Sequence, residues 1–186
     1  MIYLASNSPR RAELLQQINV PFKRVKGDIE EQRANSETTE NYVLRLALQK
    51  AQAGFNNSDQ TRPVLGADTI VVVDHEILEK PQNQAHAMSM LQLLSGRTHQ
   101  VFTAIAIVSR ETFKTQLVKT DVTFKLLTEQ EMEAYWLTGE PIDKAGGYGI
   151  QGYAGKFVSH INGSYSAVVG LPLYETDQLI NEFYRI

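Results

Sequence analysis

An aspartate interrupts the most strand-like apolar run of the sequence. Asp68 lies inside Val64–Val73, directly after Gly66 and Ala67. An aspartate in a buried strand costs free energy unless it is paired, hydrogen-bonded or bound to a metal ion. Asp68 is therefore predicted to be a functional carboxylate, and its two small neighbours are expected to leave room for a ligand beside the backbone. The structural alternative is a bulge or an exposed strand face.

The segment Ser6–Arg11 predicts an anion site. A short apolar strand ends there and a helix begins, with Ser8 suited to the N-cap and Pro9 to the first helical position. The start of a helix attracts anions, so Arg10 and Arg11 in the first turn oppose the helix dipole. A bound phosphate explains this pair better than two solvated arginines do. On the same reasoning, removal of Arg11 is expected to leave the melting temperature unchanged or slightly higher.

Two segments rich in glycine and proline hold further polar side chains. Lys80 directly precedes a proline, and Lys144 and Gln151 stand in the stretch 140–152, where several glycines permit backbone contact with a ligand. Asn162–Ser166 predicts either a turn or a second phosphate loop. For each of these segments a purely structural turn remains an equally open interpretation.

Composition excludes several kinds of chemistry. The chain has no cysteine, which rules out disulfides, thiol catalysis and Cys-ligated zinc or iron–sulfur centres. The four histidines lack zinc-site spacing, and no P-loop, Rossmann or nucleophile-elbow motif is present. A formal net charge of −3 argues against general nucleic-acid binding. No apolar run approaches the roughly 20 residues that span a bilayer.

What remains is a set of carboxylates and cations without a nucleophile. This combination suits metal-assisted attack of water on a phosphate. The carboxylates are Glu30, Glu31 and Asp68, and the cations are Arg10, Arg11, Lys50, Lys80 and Lys144.

The elements that must position these residues alternate between strand and helix, which predicts an α/β fold in a single domain over 1–186. A loop is predicted over Gly27–Glu37, and a capping box at Thr128–Glu131 opens a helix. Helices are predicted over 10–18, 38–53 (ended by Gly54), 83–94, 128–137 and 172–183, and strands over 2–5, 22–26, 64–73, 101–108, 115–125, 157–161 and 167–169, with a hairpin leading from 64–73 into Ile77 and Leu78.

The same segments resemble, in order over nearly the whole chain, the motifs of the Maf family of nucleoside triphosphate pyrophosphatases. The resemblance implies a long, strongly bent mixed sheet with helices around it, forming two lobes about a central cleft as in inosine triphosphate pyrophosphatase. It also implies hydrolysis of a nucleoside triphosphate to the monophosphate and pyrophosphate with a divalent metal, Mg²⁺ or Mn²⁺. The matching segments are Ser6–Arg11, Ala67–Thr69, Glu79–Pro81, Asp143–Gly152 and Asn162–Pro172.

Three residues resemble the family branch that acts on dTTP and UTP. They are Arg11, Thr69 and Gln151, which the resemblance assigns to base preference, whereas the branch linked to 7-methyl-GTP has Trp, Gln and Glu in corresponding places. Gly147 departs from the family pattern, which usually has alanine there. The departure is expected to loosen the loop slightly without changing the reaction.

The resemblance also assigns roles within the reaction. Asp68 is implied as the catalytic proton acceptor, Lys50 and Lys80 as further catalytic charges, and Asp68 with Glu31 as the metal ligands. The residues implied or favoured for substrate binding are Ser8, Arg10, Arg11, Thr69, Lys144 and Gln151.

Other functions stay open at this point. One is a pyrophosphatase for damaged purine nucleotides on the same fold, and another is a regulator of septum formation that only senses nucleotide. The sequence does not choose among dTTP, UTP and modified uridine triphosphates. A cytoplasmic protein without membrane or stable nucleic-acid partners is expected, and a homodimer is the assembly common on this fold.

Overall fold

Strands and helices alternate through residues 1–184, the part of the 186-residue chain that this computed structural model describes. The strands are β1 (Ile2–Ala5), β2 (Phe22–Arg24), β3 (Val64–Val73), β4 (Glu76–Leu78), β5 (Thr98–Val108), β6 (Phe113–Phe124) and β7 (Val158–Asn162). The α-helices are α1 (Pro9–Gln17), α2 (Thr39–Asn56), α3 (Gln84–Leu94), α4 (Glu129–Leu137), α5 (Tyr165–Val169) and α6 (Leu173–Tyr184). Short 3-10 helices cover Glu140–Asp143, Ala145–Gly147 and Tyr153–Phe157. Among the helices of residues 1–184, none combines the length and the apolar character needed to span a bilayer.

All seven of these strands belong to one mixed sheet in the order β2-β1-β3-β5-β6-β7, with β4 paired to β3. β1 pairs in parallel with both β2 and β3, and its four residues are all buried. Strands that are covered on both faces are expected to be apolar throughout, which explains the sequence of β1. The pairs β3–β4 and β6–β7 are antiparallel. The predicted α/β class is therefore confirmed, with the sheet flanked by helices.

The chain divides into two compact units. The first consists of residues 1–68, 103–118 and the chain from Gly170 onward, and the second consists of 69–102 and 119–169. The core of the first unit includes the fully buried side chains Leu4, Leu15, Leu46, Leu65, Ile105 and Ile107. The core of the second includes Leu91, Leu94, Phe124, Tyr135 and Phe157.

Local signals at helix ends behave largely as predicted. Thr128 and Glu131 form a complete capping box at the start of α4, where each side chain bonds to the backbone of the other residue. Asn83 accepts a hydrogen bond from the backbone N–H of His86 at the start of α3. Ser8 occupies the N-cap of α1 and Pro9 its first turn, but the Ser8 side chain makes no capping hydrogen bond.

Two predictions of secondary structure are wrong. Gly54 does not end α2, which continues to Asn56, because Gly54 packs where a Cβ atom would lie 2.6 Å from Cβ of Ala5. Residues 167–169 form part of helix α5 instead of a strand. There the Ser164 hydroxyl accepts from the N–H of Ala167, a capping interaction that starts a helix in an apolar run too short to identify by periodicity.

Candidate active site

Asp68 is held on β3 beneath helix α2. Alternate residues of a strand point to the same face, so Gly66 and Asp68 share one face of β3. A Cβ atom on Gly66 would lie 2.6 Å from both the carbonyl oxygen of Ala47 and the amide nitrogen of Ala51. The absence of a side chain at Gly66 therefore permits close packing of α2 on β3. The expectation that Gly66 leaves room for a ligand is wrong. The result is an aspartate that is 5% exposed.

The close approach of α2 brings a lysine to this aspartate. Lys50 Nζ lies 2.5 Å from Oδ1 of Asp68 and 2.6 Å from Oε1 of Glu31. Glu31 comes from the loop after β2, which runs tightly against α2: a Cβ atom on Gly27 would lie 2.8 Å from the carbonyl oxygen of Lys50. One partly buried lysine thus joins two carboxylates that are far apart in sequence, and the structure brings these three predicted residues together.

The environment of Asp68 suits a proton acceptor. Burial raises the pKa of this carboxyl group above the usual value for an aspartate, and Glu31 raises the pKa further. The charges of Lys50 and Arg11 act in the opposite direction and favour the ionised form. A carboxylate with a raised pKa holds a proton more readily than an exposed one, which is the property that a general base requires.

The arginines of α1 contribute positive charge to the same unit. Nε of Arg11 donates a hydrogen bond of 2.9 Å to the carbonyl oxygen of Gly170, and Nη1 lies 3.4 Å from Oγ of Ser6. Burial lowers the pKa of Arg11, and the neighbouring charge of Arg10 lowers it as well, whereas the field of Asp68 raises it. Arg11 therefore has structural contacts that the sequence did not reveal, in addition to its place at a helix start.

Asp68 and Glu31 offer donors that fit a small divalent cation. Their oxygens converge on one point, where the Lys50 ammonium now supplies the positive charge. Mg²⁺ is often held by one or two carboxylates, with water and phosphate oxygens completing its shell. Within residues 1–184 there is no group of three or more His, Asp or Glu side chains that could hold a metal ion. A metal at this site would therefore depend on this pair and on oxygens from substrate and water.

The remaining predicted residues lie in the second unit. Thr69 follows Asp68 on β3 and is half-buried, while Lys80 is exposed after β4. Nζ of Lys144 lies 2.5 Å from Oδ1 of Asp143 and donates to the carbonyl oxygen of Glu140, so this lysine has partners within its own 3-10 segment. Gln151 is exposed in the turn that follows.

Sequence reasoning missed two residues that organise the Gln151 turn. Glu140 accepts hydrogen bonds from the hydroxyl of Tyr135 and from the backbone N–H of Tyr153. The Tyr135 hydroxyl in turn accepts from the N–H of Gly149. A signal was present in Gly149 and Gly152, because two glycines around a candidate residue indicate a backbone that something else approaches closely.

Comparison with known proteins gives consistent matches over the whole site. A family profile described as Maf-like protein matches residues 1–183. A relative from Pseudoalteromonas atlantica, named dTTP/UTP pyrophosphatase, is 59% identical over 184 residues, which are 97% of this chain and 96% of the relative. A relative of the same name from Vibrio vulnificus is 57% identical over 182 residues, 98% of each chain. The Staphylococcus aureus Ham1 protein, a solved structure, aligns with 66% of this chain and 70% of its own at 17% identity and a TM-score of 0.45.

Proposed function

This chain belongs to the Maf-like protein family, and on that premise we propose that it is a nucleoside triphosphate pyrophosphatase that converts dTTP and UTP into the monophosphate and pyrophosphate. The observation that carries the proposal is the buried carboxylate of Asp68, which is paired with Lys50, while the same lysine also pairs with the exposed Glu31. The names of relatives at 55–59% identity support the choice of dTTP and UTP.

In this proposal Asp68 is the general base. Its raised pKa lets it take a proton from the water molecule that attacks the α-phosphorus. Lys50 bonds to the ionised carboxylate and keeps it oriented before the proton is transferred. A divalent cation held by Asp68 and Glu31 would supply further positive charge for the phosphate oxygens.

Cationic side chains stabilise the phosphates and the leaving group. Arg10 and Arg11 at the start of α1 bind phosphate oxygens, together with the backbone N–H groups near Ser8. Lys50 and Lys80 stabilise the negative charge that develops on the departing pyrophosphate. Pyrophosphate is released as a unit because attack occurs at the α-phosphorus.

Recognition of the base is assigned to neutral and polar groups of the second unit. The Gln151 amide carries both a donor and an acceptor and can pair with N3–H and O4 of uracil or thymine. Thr69 helps to fix the orientation of this amide, and Lys144 contributes charge near the bound substrate. A purine would leave the donor and the acceptor of the Gln151 amide without their partners, which is the physical basis of rejection.

Release of pyrophosphate from a panel of nucleotides tests the function. The panel contains dTTP, UTP, CTP, GTP and ITP, each with Mg²⁺, with Mn²⁺ and with EDTA. We expect turnover of dTTP and UTP that requires metal and far slower turnover of the others. Preferred hydrolysis of ITP would replace the proposal by one for damaged purine nucleotides. Tight binding of UTP without turnover would favour a nucleotide sensor, as in a regulator of septum formation.

The proposed substrates also indicate where in the cell the protein acts and what it binds. Nucleoside triphosphates are made and consumed in the cytoplasm, so we propose a cytoplasmic location. The partner is then a small nucleotide, with no stable nucleic acid and no membrane. The two-lobed arrangement about a cleft and the homodimer that the family resemblance implies stay predictions.

A further inference from the structure

The turn that presents Gln151 is held at both of its ends by one pair of side chains. At one end the backbone N–H of Gly149 donates to the hydroxyl of Tyr135 at 3.0 Å. At the other end the N–H of Tyr153 donates to Oε2 of Glu140 at 2.9 Å. The two side chains are themselves joined, because the Tyr135 hydroxyl donates to Oε1 of Glu140 at 2.8 Å. Residues 149 and 153 are thus tied to one hydrogen-bonded unit, with Gln151 midway between them.

Packing around this unit leaves the turn little freedom. A Cβ atom on Gly152 would lie only 2.0 Å from Oε2 of Glu140, so the carboxylate contacts the backbone directly. The ring of Tyr135 is fully buried and stacks on the ring of Tyr153, with 5.7 Å between centroids and 12° between planes. Inside the turn, the N–H of Gly152 donates to the carbonyl oxygen of Gly149.

The directions of these hydrogen bonds require a carboxylate at position 140. The Tyr135 hydroxyl accepts from Gly149 and has a single hydrogen, which it gives to Glu140. Both oxygens of Glu140 therefore act as acceptors, one for a hydroxyl and one for an amide. A glutamine of the same shape would present an NH₂ group to one of these donors and break one end of the support.

We propose that Glu140 and Tyr135 are positioning residues that set the base preference of the enzyme through Gln151. The inference rests on the proposed function, in which Gln151 reads the base. An exposed glutamine on a loose turn could meet many bases equally well, whereas a turn fixed at both ends presents its amide at one place. Neither Glu140 nor Tyr135 needs to touch the substrate for this effect.

The test measures kcat/KM for UTP, CTP and GTP in Glu140→Gln, Tyr135→Phe, Gln151→Ala and the double variant Glu140→Gln/Gln151→Ala. Loss of one hydrogen bond that orients the turn should reduce the UTP-to-CTP ratio about tenfold in each of the two positioning variants. The loss should appear mainly in KM, because binding of the base is altered and the attack on phosphorus is not. The double variant should have the same ratio as Gln151→Ala alone, since Glu140 acts only through Gln151.

Glu131→Gln is the matched control. Glu131 is also a carboxylate of the second unit that accepts from a backbone N–H, at Thr128, and it pairs with Lys125, but none of these bonds involves residues 149–153. This variant should lower the melting temperature and leave the UTP-to-CTP ratio unchanged. Tyr135→Phe keeps the buried ring, so this variant alone can test the positioning role if Glu140→Gln does not fold.

The outcomes separate the inference from the function on which it rests. If the wild-type protein releases no pyrophosphate from UTP or dTTP, the proposed function fails. If the wild type prefers UTP and both positioning variants keep that preference, the inference alone is overturned. It is also overturned if the double variant loses selectivity beyond Gln151→Ala, because Glu140 would then act by a route other than Gln151.

Discussion

The Asp68 cluster and the Gln151 turn are positioned by opposite means. In the first unit, backbone packing positions side chains: Gly66 lets α2 lie close to β3, and the approach brings Lys50 to Asp68. In the second unit, side chains position backbone: Glu140 and Tyr135 bind the N–H groups at the two ends of a turn. Glycine serves both cases, once to admit a helix and once to admit a carboxylate.

This difference predicts different consequences of mutation. In the Asp68 cluster the Lys50 ammonium lies within 2.6 Å of both carboxylates, and Asp68 itself is buried, so a change there alters protonation and transition-state charge. The Gln151 turn is held by hydrogen bonds to one carboxylate and one neutral hydroxyl, so a change there alters geometry. Mutations in the Asp68 cluster should therefore reduce the rate of hydrolysis, whereas mutations in the Gln151 turn should reduce discrimination between bases.

The largest effect is expected from Asp68→Asn. An amide cannot accept the proton of the attacking water and is a poor metal ligand, so kcat should fall about a hundredfold or more for both dTTP and UTP. The fold should remain, because the substitution keeps the size of a buried side chain. The measurements are pyrophosphate release and the far-UV circular dichroism spectrum. Activity above about a tenth of wild type would contradict the assignment of Asp68 as the base.

The pH dependence gives an independent test of this assignment. The base must be ionised, so activity is present above the pKa of Asp68 and is lost as the pH falls through it. Burial raises that pKa, so the acid limb of kcat/KM should lie above the value of about 3.9 that is usual for aspartate. Asp74→Asn is the matched control, since Asp74 is an exposed turn residue paired with Arg97. Asp74→Asn should leave unchanged both the rate of pyrophosphate release and the pH at which kcat/KM falls on the acid side.

Residues whose role can be read from local sequence were predicted well. Asp68 stood out because an ionisable group in an apolar strand requires a reason, and the structure places it 5% exposed beside a lysine. The capping box of α4 was also recognised, because its two residues are three positions apart. Both signals lie within a few residues, where the period of the element determines the geometry.

Several features that depend on contacts distant in sequence were not predicted. Glu140 carries no local signal, because its partner N–H at Tyr153 is thirteen positions away in sequence. Gly54 was interpreted as the end of α2, although it is a contact of that helix with Ala5. Gly66 was likewise interpreted as leaving room for a ligand, although it is a contact of β3 with the backbone of α2. A glycine shows that space is needed, but the sequence does not say what occupies it.

A smaller but measurable effect is expected from Gly66→Ala. The new methyl group would meet the backbone of α2 at 2.6 Å, so the helix must move away from β3. Overpacking of this kind costs about 1–3 kcal/mol of the free energy of unfolding. The shift also separates Lys50 from Asp68, so kcat should fall while the UTP-to-CTP ratio stays constant. Chemical denaturation and steady-state kinetics on the panel of nucleotides measure the two effects.

Gly139→Ala separates collision from backbone strain. Gly139 has φ of 72° and no atom within 4 Å of an added Cβ, so its substitution costs only the strain of a left-handed conformation, about 1–2 kcal/mol. This variant should be less stable but fully active per folded molecule. If Gly66→Ala behaves in the same way, the close packing of α2 on β3 is not what positions Lys50.

The smallest effect on stability is expected from Arg11→Ala, and its sign reverses the expectation from sequence. The helix dipole alone predicts that removing this charge from the start of α1 leaves stability unchanged or improves it. The structure adds a hydrogen bond from Arg11 Nε to the carbonyl oxygen of Gly170, which joins α1 to the chain before α6. Loss of that bond should lower the free energy of unfolding by about 1 kcal/mol. This loss is larger than the gain from removing the unfavourable interaction of the Arg11 charge with the helix dipole. KM for dTTP should rise as well, because the phosphate loses a cation.

Arg11→Lys should restore part of the KM and little of the stability, since an ammonium carries the charge without the directed Nε–H. A melting temperature for Arg11→Ala at or above that of wild type would show that the Gly170 contact contributes nothing, and an unchanged KM would remove Arg11 from the phosphate site.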